Sequence, residues 1–208
     1  MIDGEEAARA FVTERIDNRA LAQLDLLATC LHRENQRQNL VSSSTLAETW
    51  LRHFADSAQL IEHVSRETGP WLDLGSGAGF PGLVIAIIQS RREVLLIEYR
   101  RLRIDWLCNM IEQLGLRNCR VVAGDAQTVT PGKAAVISAR AFAPLEKLLM
   151  IGSRFSTHQT EWVLPKGRRA EQELAALPLG LRSMFHVKPS LTDPSAGIIV
   201  GRGTGRIA

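Results

Sequence analysis

From Glu5 to Leu31 apolar residues recur at three- and four-residue steps: Ala8, Phe11, Val12, Ile16, Leu21, Leu24, Leu27 and Leu31. That period predicts an amphipathic helix or a pair of them. The stretch Asn35–Ser44 is polar and ends in three serines, the pattern of a loop followed by an N-cap. A second helix is expected from Thr45 to about Val64, with Leu46, Trp50, Leu51, Phe54, Leu60 and Ile61 on its buried side. Gly69-Pro70 stops it.

Beyond Pro70 the period changes. Short β-rich runs at Trp71–Leu74, Val94–Glu98, Arg120–Ala123, Ala134–Ser138 and Glu161–Leu164 alternate with helical patterns near 82–90, 101–114, 143–153 and 168–177. Such alternation predicts βαβ units and a parallel sheet. Two last strands, about 181–187 and 197–202, are joined by a turn-like Leu191–Ala196 and are expected to be antiparallel neighbours closing the sheet. The tail Gly201–Ala208 is expected to fray. The reading divides the chain into an N-terminal helical extension, residues 1–68, and an α/β domain, residues 69–208.

Composition narrows the class. The chain has 208 residues, 45% apolar and 23% charged, which is globular rather than disordered. Its formal charge of +3 is too small to prove a nucleic-acid partner. The run Leu83–Ile88 is far short of the ~20 apolar residues that span a bilayer, and the acidic start MIDGEEAARA is not the pattern of a secretory signal. Cys30, Cys108 and Cys119 form no CxxC pair and fit reduced thiols in a cytoplasm. The five histidines show no metal-ligand spacing, so no metal is expected. Trp50, Trp71, Trp106 and Trp162 are read as core residues.

The strongest local signal is Trp71-Leu-Asp-Leu-Gly-Ser-Gly-Ala-Gly-Phe-Pro-Gly82. A strand runs into a turn with glycines at 75, 77 and 79, and Pro81 sits where a first helical turn begins. Such a loop lets backbone approach a ligand closely, and the helix start behind it favours an anion. A nicotinamide fingerprint would read GxGxxG. The form here, Asp73-x-Gly75-x-Gly77-x-Gly79, resembles the loop of class I methyltransferases, which bind S-adenosylmethionine. That resemblance implies a Rossmann-like fold, with a mostly parallel seven-stranded sheet and an antiparallel last strand. It also sets Asp73 near the methionyl amino group. Glu98 ends the second strand, where a carboxylate accepts both ribose hydroxyls of either cofactor. Asp125 follows the third strand, where methyltransferases commonly meet the adenine edge. Together the three acids line one crevice at the carboxyl ends of consecutive strands. The loop alone leaves open a small-molecule or protein methyltransferase, and a cofactor-binding ribosome factor without turnover.

Further runs extend the resemblance. Asn39-Leu-Val-Ser-Ser, His53-Phe-Ala-Asp-Ser57, the glycine loop with Gly79-Phe-Pro-Gly82, Ser138-Ala-Arg-Ala-Phe-Ala143 and Leu164-Pro-Lys-Gly167 together resemble the RsmG (GidB) family of ribosomal RNA small-subunit methyltransferases, over about residues 20 to 202. The resemblance implies transfer of a methyl group from S-adenosylmethionine to N7 of a guanine in the 530 loop of 16S ribosomal RNA. It implies cofactor contacts at Gly75, Phe80, Ala126, Gln127 and Arg140. Two departures stand out: Gln127 replaces the family's usual Glu, and Ala139 splits its serine-arginine pair.

Guanine N7 carries a lone pair and no proton, so no general base is expected, and His53 and Asp56 are not read as a catalytic pair. Arg140, at the end of the fourth strand, is the first choice for the residue that orients the base. RNA contacts are expected from the basic surface, with Lys166, Arg168, Arg100 and Arg101 as candidates. The expected partner is 16S RNA or the 30S subunit, approached by a monomer.

Overall fold

The computed structural model describes residues 1–65 and 69–206. The expected N-terminal helix is a pair, α1 (Gly4–Thr13) and α2 (Asn18–Glu34). They part where Asp17 caps α2 by accepting from the Ala20 N–H at 2.8 Å. The second helix expected from Thr45 is not continuous. A short α3 (Ser43–Leu46), capped by Ser42, is followed by a π-helical turn at Trp50–Ala55, one α-turn (α4, Asp56–Ala58) and a 3₁₀ turn at Gln59–His63.

The apolar period survives these changes of winding, because Trp50, Phe54 and Leu60 are all buried. Hydrogen bonds from outside the segment explain its irregularity. The carboxylate of Glu5 in α1 accepts from the Trp50 N–H at 3.0 Å and the Leu51 N–H at 2.7 Å. Glu5→Ala leaves those two amides without partners, and we expect it to lower stability by about 1–2 kcal/mol in urea unfolding; an unchanged midpoint would remove Glu5 from this role.

The α/β part holds seven strands: β1 (Trp71–Leu74), β2 (Val94–Glu98), β3 (Cys119–Ala123), β4 (Val136–Ser138), β5 (Glu161–Gly167), β6 (Phe185–Pro189) and β7 (Gly197–Arg202). Their order is β3-β2-β1-β4-β5-β7-β6. Strands β1 to β5 are mutually parallel, and β7 runs antiparallel to both β5 and β6. The helices are α5 (Gly82–Ile88), α6 (Arg101–Gln113), α7 (Leu145–Gly152), α8 (Ala170–Ala175) and α9 (Leu179–Arg182). The last one takes the residues expected to begin the sixth strand. Its Pro178-Leu-Gly-Leu run gives a turn of helix, with Arg182 N–H donating to Pro178 O, before the chain enters β6.

Central strands are apolar on both faces, as a covered parallel sheet requires. Trp71, Val94, Leu96, Val136 and Val163 face a core shared with α1, α2, the 50–60 segment, α5 and α6. Leu72, Leu74, Leu95, Ile97 and Ile137 face the other core, with α7, α8 and α9. All four tryptophans are buried, each large apolar side chain adding about 1.5–3 kcal/mol. The N-terminal helices thus pack into the same core as β1. The expected boundary at 68 falls on residues outside those described.

The tail is held rather than frayed as far as it is described. Trp162 Nε1 donates to Gly203 O at 2.8 Å, and Ser156 Oγ to Thr204 O at 2.6 Å. Ile207 and Ala208, the end of the tail expected to fray, lie outside the described residues.

Candidate functional site

Chain order runs outward from β1 to β3 and then returns to β4 on the other side of β1. A crevice opens at the carboxyl ends of the strands where the order reverses. The glycine loop, the ends of β2 and β3, and the segment after β4 all converge there.

The loop is held from beneath. Asp73 has no accessible surface. Its Oδ1 accepts from Ser138 Oγ at 2.7 Å and its Oδ2 from the Gly82 N–H at 3.3 Å. The carboxylate met by the start of α5 is therefore the chain's own, and Asp73, expected near the methionyl amino group, lies buried beneath the loop. Trp71 Nε1 completes the chain of bonds by donating to Ser138 Oγ at 2.8 Å.

Burial pushes the Asp73 carboxyl up to about 6 from 3.8, against the hydrogen bonds from Ser138, Ser76 and Gly82 that favour its ionised form. Between those values the folded state holds more protons than the unfolded one, so stability falls as pH rises from about 4 to about 6. An Asp73→Asn variant removes this slope. The stability difference between the two proteins should shift by on the order of 1–3 kcal/mol between pH 4 and pH 7, read from urea unfolding at each pH. A difference constant with pH would show that Asp73 titrates normally.

Glu98 ties the loop to the second strand. It is buried; its Oε2 accepts from the Gly77 N–H at 2.9 Å and its Oε1 from the Tyr99 and Arg100 N–H groups at 2.8 and 2.9 Å. Gly75 has φ +66, and a Cβ there would lie 2.4 Å from Phe142 Cδ2. Only glycine provides both the left-handed backbone and the room for that ring. Gly79, with φ +102, packs as closely on Leu83.

Past β4 the chain turns sharply. Ala141 has φ 53, a left-handed conformation rarely taken by a residue with a side chain. The turn sends Arg140 and Phe142 to different cavities. Phe142, Gly75, Glu98, Asp125, Ala126 and Gln127 border one of about 240 Å³. Arg140, Arg52, His53, Asp56 and Asp193 border a second of about 370 Å³.

Arg140 is anchored on the π-helical turn. Its Nη1 donates to Arg52 O at 2.9 Å and lies 3.4 Å from Asp56 Oδ2, while its Nη2 is 3.1 Å from His53 Nδ1. Its guanidinium carbon stands 5.3 Å from the centre of the Phe80 ring. Burial pulls the Arg140 pKa down from its usual value, and the carboxylates of Asp56 and Asp73 pull it back. Phe80 is itself buried, stacked on His53 with centroids 4.7 Å apart. A network behind Asp56 fixes this wall: Asp56 Oδ1 accepts from Thr192 Oγ1 at 2.8 Å and Gln59 Nε2 at 3.0 Å, and Arg52 pairs with Asp193 at 3.3 Å.

Five of the residues read as cofactor contacts (Gly75, Glu98, Asp125, Ala126 and Gln127) border the smaller cavity together. Asp125 is exposed and its Oδ1 accepts from the Gln127 N–H at 2.8 Å. Arg140 faces the larger cavity, and Gly77, Gly79 and Phe80 support the loop from within. The basic candidates divide. Arg100, Arg101 and Arg168 are exposed, held lightly by Tyr99 Oη, Asp105 and Ser195 Oγ. Lys166 is not free for phosphate: its side chain is 9% exposed and its Nζ donates to Ala143 O at 2.7 Å and Glu173 Oε2 at 2.9 Å.

Residues 53, 56, 99 and 142 join the site without having been read as contacts. Phe142 was legible in the Arg-Ala-Phe-Ala run, and Tyr99 in its place after Glu98. Among the described residues no group of three His, Cys, Asp or Glu could hold a metal ion, and no helix is long and apolar enough to cross a membrane.

The seven-stranded sheet with its glycine loop and acidic strand ends is the fold of class I methyltransferases. It resembles the structure of a mutant MtNAS in complex with S-adenosylmethionine, with a TM-score of 0.57 at 17% identity, covering 97% of this chain and 84% of that one. It also resembles the ribosomal protein L11 methylase of Lactobacillus delbrueckii subsp. bulgaricus, with a TM-score of 0.56 at 15% identity, covering 76% and 79%.

Sequence comparison is more particular. The family rRNA small subunit methyltransferase G (GidB) matches residues 20–188. The chain is 55% identical over 206 residues to the ribosomal RNA small subunit methyltransferase G of Erythrobacter litoralis, covering 99% of this chain and all of that protein. It is 54% identical to the protein of that name from Novosphingobium aromaticivorans, covering 95% and 88%. The chain belongs to the rRNA small subunit methyltransferase G family.

Proposed function

We propose that this protein transfers a methyl group from S-adenosylmethionine to N7 of a guanine in the 530 loop of 16S ribosomal RNA. The observation that carries the reading is the strained turn at Ala141, which borders two cavities at once: one suited to an adenosine, the other walled by Arg140 and Arg52.

The residues present fit the cofactor. Glu98, Ile97, Asp125, Ala126 and Gln127 line one cavity, where Glu98 would hold the ribose, Ala126 and Ile97 would offer apolar surface to adenine, and Asp125 and Gln127 would take its polar edge. Gly75 supplies a cradle that a Cβ would fill. A main-chain contact at Gln127 is unaffected by the exchange of Glu for Gln. When bound, the cofactor supplies an electrophilic methyl group on a sulfonium.

The protein's own part is positional. N7 has a free lone pair, so the site needs alignment rather than proton removal. The residues agree with that demand. Burial, with the positive charges of Arg140 and Arg52 beside it, holds His53 down to about 3, so it stays neutral. Arg140 is a donor only and suits a carbonyl edge or a carboxylate. Because the methylated base becomes cationic, Arg140 acts in orientation and not in charge stabilisation of the product. Exposed Arg100, Arg101 and Arg168 supply phosphate contacts around the crevice, a sequence-independent and salt-dependent contribution. The protein works as a cytoplasmic monomer on 16S RNA or the 30S subunit.

Calorimetric titration with S-adenosylmethionine and with NAD, followed by incubation with labelled cofactor and ribosomal RNA, tests this reading. Binding of S-adenosylmethionine alone and label in RNA are expected. Binding without labelled RNA would favour a small-molecule substrate or a non-catalytic ribosome factor.

A further inference from the structure

We propose that His53 is a positioning residue that fixes the Arg140 guanidinium, through an imidazole held in a single tautomer. The inference rests on the reading of Arg140 as a site residue and deepens it.

Arginine has no acceptor, so the 3.1 Å contact between Arg140 Nη2 and His53 requires Nδ1 to accept. The ring proton then sits on Nε2. That atom is buried and, among the described residues, has no hydrogen-bond partner. A buried donor without an acceptor is costly, and a histidine free to choose would exchange its tautomer or ring orientation. The Arg140 N–H at Nδ1 selects against this, and three contacts hold the ring and the guanidinium in place. Phe80 stacks on the ring at 4.7 Å with planes 7° apart. His53 belongs to the π-helical turn whose first two amides are held by Glu5. The same turn presents Arg52 O to the other nitrogen of the guanidinium at 2.9 Å.

The acceptors around Arg140 are thus Arg52 O, Asp56 Oδ2 and His53 Nδ1, all within residues 52–56 of one irregular segment. Two of them are fixed independently of Arg140, the carbonyl by the backbone and Asp56 by Thr192 and Gln59. His53 supplies the third and links it to Phe80, on the glycine loop. The bonds from Glu5 and Arg140 hold this segment in a π-helical turn, a winding frequently found at functional sites. The π-helical turn thus meets Phe80 of the cofactor loop through the rings of His53 and Phe54, and Arg140 after β4 through a hydrogen bond.

The test compares His53→Asn with His53→Phe in the full chain. Asparagine keeps an acceptor near the position of Nδ1; phenylalanine keeps the stack on Phe80 and loses the acceptor. The Phe variant should weaken cofactor affinity or lower kcat/KM for RNA by about tenfold to a hundredfold, the loss of one charge-assisted bond. The Asn variant should recover most of that loss. A Phe variant equal to the parent, or an Asn variant as poor as Phe, would overturn the proposal.

Imidazole ¹⁵N spectra give a readout independent of turnover. A neutral ring protonated at Nε2, whose signals move on Arg140→Ala, is expected. Protonation at Nδ1 would overturn the pairing. A parent protein inactive on RNA would overturn the methyl-transfer reading, while the spectra still decide whether His53 fixes Arg140.

Discussion

Arg140→Ala is expected to lower kcat/KM for methyl transfer by about a hundredfold, with the fold retained. The side chain makes its contacts in the wall of the larger cavity. It donates to a carbonyl at 2.9 Å, faces a carboxylate at 3.4 Å and a ring nitrogen at 3.1 Å, and stands over Phe80. Removing it leaves His53 Nδ1 without its donor and opens the wall of the larger cavity. Asp56 keeps Thr192 and Gln59, so the wall does not collapse. Arg140→Lys should also fail, because an ammonium cannot reach three acceptors arranged for a planar fork. Kinetics with RNA, alongside calorimetry with S-adenosylmethionine, separate loss of cofactor binding from loss of base orientation. Turnover within about threefold of the parent would remove Arg140 from the site.

Gly75→Val should weaken cofactor affinity by about a hundredfold or more. Two costs combine. The backbone at φ +66 is unfavourable for a residue with a side chain by about 1–2 kcal/mol, more for a β-branched one. The new Cβ would also sit 2.4 Å from the Phe142 ring, which must move into the space assigned to the cofactor. Much of the second cost depends on Phe142. Adding Phe142→Ala should therefore restore part of the affinity, and the two changes should be non-additive in a double-mutant cycle. Additive effects would mean that the ring and the loop are not in contact.

The parallel core of the fold was legible because its strands are short, apolar on both faces and bounded by turn residues. The bounds of β1, β2 and β7 follow directly from Trp71–Leu74, Val94–Glu98 and 197–202. The segment from Trp50 to His63 was not legible in detail. Its three- and four-residue apolar steps fit any helical winding. What selects the π turn is the carboxylate of Glu5 and the guanidinium of Arg140, both distant in sequence. Likewise α9 was hidden because Leu181 satisfies a helix or a strand equally well.

The same contrast holds at the site. Gly75, Glu98 and the Asp125–Gln127 turn could be read because each occupies a fixed place at a strand end. Spacing places Asp73 beside the loop; that it faces inward depends on the bonds to Ser138 and Gly82, which no spacing announces. The pairing of Lys166 with Glu173 across the β5–α8 connection is likewise announced by no sequence pattern.

The central claim is methylation of one ribosomal guanine at N7. The most direct measurement incubates the protein and labelled S-adenosylmethionine with 16S RNA and with 30S subunits from a strain lacking its own enzyme for this position, then maps the label by N7-specific strand cleavage. A single labelled guanine in the 530 loop is the predicted result. Label at another base or another atom, or none in either substrate despite cofactor binding, would contradict it.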